Sequence, residues 1–348
     1  MFRETIRFFL GLFEAGFLPG AILIISKWYL PNETQTRIAI LYTSAASGGA
    51  FSGLLAFSIA KMDSVAGLEG WRWIFIIEGI ATVFIGVMCF FLLVDSPPLS
   101  KWLDADEKRF LELRQAARRV VRPDEFRDKH FDKHAFYSVV FDWKMWLLIF
   151  ANWSNAVPNY AMKFTMPQII KNMGYTSSDA QLMTIPPYAI GAVSAYVFSV
   201  FADRYSWRGI PFSGDIKNNI GACYFTVCLA CAGMYPILPA VNAWNVANCP
   251  SPQKRAISIG FLVCVGNIGG LIGSYIYLDR EAPRYPTGFG TSFGSASAGI
   301  IAGTVLEFSL RRLNKKKELL DEDEIRRTYT DEELDKMGEK SPLFKYAL

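Results

Sequence analysis

The strongest constraint on this chain is a series of apolar runs, each about as long as a lipid bilayer is thick. A helix rises about 1.5 Å per residue, so about 20 apolar residues cross the hydrocarbon core of a membrane. Apolar residues make up 51% of the sequence, and the charged residues collect between the runs. We predict an all-α integral membrane protein with about eight transmembrane spans, at 5–28, 37–60, 73–95, 144–168, 184–202, 219–241, 256–278 and 289–310.

Two ionisable residues, Arg7 and Glu14, interrupt the first run. A charged side chain at the centre of a membrane costs about 2.5–3.5 kcal/mol on insertion scales. Helical spacing puts positions 7, 11 and 14 on one face, so both groups can point across Gly11 into a shared polar interior. Groups held there typically mark a substrate or ion path. Two alternatives stay open: both groups reach an interface, or they form a permanent structural pair.

Other classes of protein have little support in the sequence. The net charge of +4 arises between the spans, so it indicates no nucleic-acid partner. Cys228 and Cys231 have CxxC spacing, but in an apolar helix they are typical of packing thiols. His130 and His134 are the two histidines of the chain, and they lie in a highly charged loop. We therefore expect no metal site, no cofactor and no enzymatic activity.

The distribution of lysine and arginine orients the spans, because these residues are enriched in cytoplasmic loops. Residues 96–142 and the tail after 310 are both rich in them, so we place both in the cytoplasm. Asp104 followed by Glu107 predicts a capping-box start for a helix in the central loop, which otherwise reads as a solvated connector.

Counting spans from both ends places Lys254 and Arg255 in the cytoplasm, but it leaves one crossing too few between Arg208 and Lys217. The residues between them are too few to cross the membrane. The alternative is that the last three spans are inverted, which leaves the basic tail outside the cell.

Several separate sequence blocks resemble one known family. They are RFFLGLFEAGFLPG from Arg7, GWRWIFIIEG from Gly70, ADRYSWRG from Ala202, NAWNVAN from Asn242, DREAPRYPTGFGTSF from Asp279 and YTDEELDKMGEKSPLFKY from Tyr329. Together they resemble the major facilitator superfamily and, within it, the fungal anion:cation symporters similar to allantoate permease. The resemblance runs over nearly the whole chain.

This resemblance implies a fold of twelve helices in two halves of six, joined by a cytoplasmic loop. By this mapping the chain begins in the fourth helix and lacks the ninth, so we expect an incomplete major facilitator fold with about eight of the twelve helices. The expected parts are the rest of the N-terminal half (1–95), the central loop (96–142), a C-terminal half (143–312) and a cytoplasmic tail (313–348).

The same resemblance implies proton-coupled uptake of a small organic anion, such as allantoate, another ureide, nicotinate or a similar vitamin-like carboxylate. Arg7 offers a bidentate donor to a substrate carboxylate, and Glu14 can accept and release the coupling proton. Asp203, Arg204 and Arg208 are expected to form a gate at the cytoplasmic side; an ordinary positive loop cap is the alternative.

Polar residues in later spans complete the expected substrate site. Asn155 and Tyr160 lie in a Pro-bent span and are candidate substrate contacts, whereas Lys163 is expected to reach the outer surface. Asn267 is a candidate cavity residue, although helix-to-helix hydrogen bonding is an alternative for it and for Asn242 and Asn245. The overlapping glycines Gly266, Gly269, Gly270 and Gly273 favour close helix packing.

The expected function is therefore secondary active transport by a monomer in the plasma membrane, with the lipid bilayer, a small anion and a proton as partners. The competing interpretation is a truncated permease fragment that does not transport, because a cavity between two halves needs both walls. A membrane-embedded enzyme is a weaker alternative.

Overall fold

The computed structural model describes residues 2–60, 67, 69–116, 133–172, 183–205, 225, 228–229, 231–277, 281, 286–330, 333–334 and 337–348. Every regular element within these ranges is helical. The predicted all-α class is therefore confirmed. The loop segment with His130 and the predicted gap between Arg208 and Lys217 lie outside the described residues.

Twelve α-helices run through the described ranges. They are α1 (Phe2–Glu14), α2 (Phe17–Trp28), α3 (Pro31–Ala60), α4 (Gly70–Leu92), α5 (Ala105–Ala116), α6 (Lys133–Val140), α7 (Trp143–Asn172), α8 (Ile185–Tyr205), α9 (Ile237–Asn248), α10 (Pro252–Tyr275), α11 (Pro286–Glu318) and α12 (Glu322–Thr328). Short 3-10 turns occur at Pro97–Leu99 and Gly338–Lys340.

The predicted boundaries differ from the helix ends by several residues, and two differences stand out. The first span is divided at Ala15 and Gly16 into α1 and α2. The span predicted to end at 241 belongs to a helix, α9, that continues to Asn248. Asn242 and Asn245 are buried inside this helix. A buried amide is tolerated in a helix when it is hydrogen-bonded.

Four helical segments in the described residues are long and apolar enough to cross a membrane. They are Phe8–Trp28, Arg72–Leu92, Pro252–Tyr275 and Pro286–Glu318, and α8 adds a shorter apolar segment, Ile185–Val200. The protein is an integral membrane protein. In the central loop, the backbone N–H of Asp104 donates to the Glu107 carboxylate at 3.1 Å, which agrees with the predicted helix start there.

Helix α7 is the centre of the packing, with α10 and α11 against it. The predicted close packing of the glycines in α10 is confirmed. A Cβ at any of four positions would press against α7, and the facing residues are Gly266 with Asn152, Gly269 with Trp153, Gly270 with Tyr160 and Gly273 with Val157. Small residues let the two backbones approach, which is how helices associate in lipid.

The N-terminal helices meet this C-terminal group along two lines. Helix α2 packs on α10, and α3 packs on α8 and α9. Helix α4 makes its main contact with α3 alone among the described elements. We name two helix groups after the predicted halves, α1–α4 and α7–α11, and we call the contact between them the seam.

The C-terminal residues show which helix ends share one side of the bundle. Glu339 pairs with Lys144 at 2.9 Å and with Lys254 at 3.0 Å, and these lysines begin α7 and α10. Asn248 and Asn314, near the ends of α9 and α11, bond residues 346 and 347. The tail thus lies on the same side as the start of α7, which is inconsistent with inversion of the last three spans.

Candidate functional site

The residues predicted to carry substrate and proton lie at the start of the bundle. Glu14 is the last residue of α1, and its side chain is exposed. The side chain of Arg7 lies outside the described residues. The pairing of Arg7 with Glu14 thus stays a prediction, as do the roles of both residues.

The side of the bundle that carries Lys144, Lys254 and Glu339 is called the charged end. A hydrophobic cluster closes the seam next to it. Ile22 of α2 and Ile259 and Val263 of α10 are buried in it, with Ile38 of α3. Because side chains four apart lie on one helix face, one further turn along α10 reaches Asn267. Asn267 is exposed, beyond the closed part of the seam.

The same stripe on α2 runs from Ile22 through Leu18 towards Glu14. Leu18 is partly buried against the cluster, and the helical hydrogen bonds Ala15 to Gly11 and Gly20 to Gly16 continue on either side of the division. Helices α2 and α10 pack on each other; Glu14 lies four residues before Leu18, and Asn267 lies four residues after Val263.

Asn155 is fully buried in α7. Its side-chain amide donates to the backbone carbonyl of Met234, and its side-chain oxygen accepts from Asn159 at 3.3 Å. In this conformation its groups are used inside the C-terminal group. Its predicted contact with substrate is untested and requires a different conformation.

Two polar contacts in the described residues cross the seam. The helix-to-helix hydrogen bond that was the alternative for Asn242 is present, but its partner Tyr42 was not predicted. The Asn242 amide of α9 donates to the Tyr42 hydroxyl of α3 at 3.3 Å and to the Leu238 carbonyl at 2.9 Å. Nearby on α3, the Thr43 hydroxyl donates to the Ala192 carbonyl of α8 at 3.4 Å. Tyr42, Thr43 and Ser44 follow one another inside an apolar span. This run of polar side chains could have predicted a polar face on the helix.

Tyr160 is half-buried and extends this polar region along α7. It lies against Gly270, and the Lys163 ammonium is 5.3 Å from the centre of its ring. Lys163 is exposed, which is consistent with the predicted surface position. An ammonium over an aromatic face is a favourable contact, so Tyr160 has an exposed cation beside it.

Several buried side-chain atoms beside the seam have no hydrogen-bond partner in the described residues. They are the side-chain oxygens of Asn152 and Asn242 and the side-chain nitrogen of Asn245. A buried polar group without a partner costs about 1–3 kcal/mol. These groups are candidates to bond water or a ligand when the two helix groups move apart.

The predicted gate residues are only partly visible. Asp203 and Arg204 lie in the last turn of α8, and their side chains lie outside the described residues, as does the whole of Arg208. Their role as a gate stays a prediction.

A second polar site, at the charged end, was also missed. Asp142, Lys144, Lys254 and Glu339 form four ion pairs of 2.9–3.5 Å, and their side chains are only 10–16% exposed. Burial opposes ionisation of Glu339, but the two ammonium groups outweigh it and hold its pKa below the usual value. Three of the four pairs join residues far apart in sequence, which no local pattern could indicate.

An all-helical membrane protein with two helix groups and buried amides along their contact is typical of a transporter of small molecules. A model of the Major Facilitator Superfamily matches residues 5–305. The chain therefore belongs to the major facilitator superfamily, whose members are transporters and not enzymes.

Three fungal relatives agree with this family. The chain is 36% identical to the MFS-type transporter cnsO of Penicillium expansum, over 99% of this chain and 71% of the relative. It is 31% identical to the MFS transporter prlL of a fungal species, over 90% and 66%. It is 29% identical to the major facilitator-type transporter hxnP of Emericella nidulans, over 99% and 72%. The chain thus spans about two thirds to seven tenths of their lengths.

Proposed function

We propose that the chain is a secondary active transporter that takes up a small organic anion together with a proton. The observation that carries this proposal is the seam, where two helix groups of a transporter family meet and polar side chains collect. Such a contact is where alternating access opens and closes a site. The proposed subfamily is the anion:cation symporters similar to allantoate permease, and the proposed substrates are allantoate, another ureide, nicotinate or a related carboxylate.

In this proposal, Arg7 binds the carboxylate of the substrate. A guanidinium is planar, stays charged and presents two parallel donors to a carboxylate. Asn267 and Tyr160 supply further polar contacts, and Asn155 joins them when the seam opens. The unpaired side-chain oxygen of Asn242 supports this arrangement, because Asn242 lies at the seam and an open seam gives that oxygen a partner.

Glu14 carries the proton in this proposal. It is the carboxylate at the end of α1, four residues before Leu18. When the substrate is bound to Arg7, the nearby positive charge is neutralised, which favours protonation of Glu14. Substrate and proton therefore bind together. The proposed setting is a monomer in the plasma membrane with the tail and the gate residues Asp203, Arg204 and Arg208 in the cytoplasm.

The experiment measures uptake of labelled allantoate and nicotinate into proteoliposomes with the interior alkaline. We expect accumulation by the wild-type chain that stops when a protonophore removes the gradient. Glu14→Gln should lose accumulation and keep substrate exchange, because the proton step alone is removed. Glu78→Gln is the matched control, since Glu78 is an exposed carboxylate in α4. Unchanged pH-driven accumulation in Glu14→Gln would refute the proton role.

The second candidate is a membrane protein that does not transport. It is favoured by one observation: none of the residues in the apolar segment of α4 is buried, so one side of the N-terminal group is open. A wild-type chain that inserts correctly, shows a cooperative thermal transition and takes up no member of the anion panel would favour this candidate.

A further inference from the structure

The last ten residues, 339–348, lie across four helix ends, and we call them the strap. The Glu339 carboxylate pairs with Lys144 of α7 and Lys254 of α10. The Lys317 ammonium at the end of α11 donates to the carbonyls of residues 339, 341 and 344, each at 2.9 Å. One carboxylate and one ammonium thus connect the strap to three helices.

The other end of the strap is held by amide side chains. Asn314 of α11 both donates to and accepts from the backbone of Tyr346, at 2.8 and 2.9 Å. Asn248 of α9 does the same with Ala347, at 3.1 and 2.9 Å. The Trp244 indole also donates to the Ala347 carbonyl, at 2.9 Å. A side chain that bonds both the N–H and the carbonyl of one backbone residue holds that segment of the chain in place without a β-sheet.

The strap is also part of the hydrophobic core. Tyr346 is buried in the cluster that contains Ile149, Leu262 and Leu310, from α7, α10 and α11. The Tyr346 hydroxyl donates back to the Glu339 carbonyl at 3.0 Å, which closes the strap on itself. A solvated tail would expose this ring and leave these groups to water.

In the described part of the chain, the hydrogen bonds and ion pairs of the strap go to α7, α9, α10 and α11 or stay within the strap. At this end the N-terminal helices contact the central loop instead. Trp28 of α2 stacks on Trp102 with ring centres 5.9 Å apart, and Glu33 of α3 pairs with Arg114 of α5 at 2.5 Å. Among the described contacts, the strap therefore ties only the C-terminal group.

We propose that residues 339–348 are an intramolecular clamp that holds the C-terminal helix group together as one rigid body. Its binding site is built from Lys144, Lys254, Lys317, Asn248 and Asn314. Rigid groups are what rocking about a seam requires. The functional consequence therefore rests on the proposed transport, whereas the clamp is a property of the folded chain and needs no substrate.

The first test uses Ser341, which is fully buried. Ser341→Cys is nearly isosteric, and a water-soluble maleimide, followed by mass spectrometry at this position, reports release of the strap. We expect protection in the otherwise wild-type chain and rapid labelling after Glu339→Gln is combined with Lys317→Met. Lys345→Cys, at an exposed position, is the reference for free labelling. Equal rates at the two positions in the wild-type background would overturn the proposal.

The second test measures thermal unfolding of the full chain in detergent. Glu339→Gln should lower the midpoint by about 5 °C or more, because it leaves two buried ammonium groups with one carboxylate. Glu318→Gln is the control, since its pair with Lys345 is exposed and 3.5 Å long. Effects of Glu339→Gln and Lys254→Met should be strongly non-additive. Equal midpoints for the wild type and Glu339→Gln would contradict the clamp, whether or not the chain transports.

Discussion

Helices α4 and α10 are both apolar enough to span a membrane, but they are packed very differently. The apolar segment of α4 is the more apolar of the two, and none of its residues is buried, whereas 44% of those in α10 are buried. In lipid, apolar side chains gain nothing by leaving the bilayer, so helices associate through small and polar residues. Besides the leucines and isoleucines of the buried clusters, glycines and asparagines mark the helix contacts of this protein.

The largest expected effect comes from enlarging a glycine on the packed side. In Gly273→Ala the new Cβ would meet the backbone carbonyl of Val157, which cannot rotate away. We expect a loss of about 1–3 kcal/mol or more, measured as a lower thermal midpoint in detergent. Gly86→Ala in α4 is the control, because nothing lies within 4 Å of its Cβ. Similar shifts in the two variants would break the comparison.

The next effect is a pH dependence of the stability that arises from Glu339 at the charged end. The pKa of Glu339 is held below its usual value, so the folded chain binds fewer protons there than the unfolded chain. Its stabilisation is present above about pH 4.3 and is lost as the pH falls through the lower folded pKa. The charged and titratable groups facing Glu339 are Asp142, Lys144, Lys254, Lys317 and Tyr346.

Thermal midpoints of the wild type and Glu339→Gln between pH 7 and pH 3 measure this dependence. The deficit of the variant should be full at pH 7 and should shrink as the pH falls below the usual glutamate pKa and the wild-type carboxyl takes up its proton. A deficit that stays constant over this range would show that charge at Glu339 is not its source.

A smaller effect is expected from the polar contact across the seam. Tyr42→Phe removes the hydroxyl that accepts from Asn242. Interhelical hydrogen bonds in membranes are worth about 0.6 kcal/mol on average, so the midpoint should fall slightly. Tyr196→Phe, at an exposed position of α8, provides the baseline. A fall as large as that of Gly273→Ala would show that this hydrogen bond across the seam contributes as much to stability as the glycine contact.

The smallest effect is expected on α4. Phe84 is 65% exposed, and Phe84→Leu keeps the surface apolar. The free energy of unfolding should change by no more than about 0.5 kcal/mol, so the shift of the thermal midpoint should be correspondingly small. A large loss would show that this face is covered by protein in the folded molecule, which would remove the contrast with α10.

The sequence predicted those parts of the fold that depend on local patterns. The glycines from Gly266 to Gly273 indicated close packing, and they contact α7. Lys254 was placed on the same side as the tail, and the pair with Glu339 agrees. The end of α9 was wrong, because a polar asparagine looks the same in sequence whether it faces water or a bonding partner.

The candidate site was less accessible to sequence reasoning. Tyr42 and Asn242 meet across the seam although they lie far apart in the chain, and periodicity within one helix does not show such pairs. The tail was predicted only to lie in the cytoplasm, because its acidic residues and its lysines each look ordinary alone. Only the fold brings Glu339 between Lys144 and Lys254.

The four buried charges of the charged end also bear on how the chain is inserted. Lys144 and Lys254 are synthesised well before Glu339, so they leave the ribosome as positive charges beside helix starts. Acidic residues contribute little to orientation, so under the proposed orientation both lysines would hold their loops in the cytoplasm while the helices enter the bilayer. Glu339 is synthesised later, and its pairing with both lysines would turn two topology signals into a structural contact.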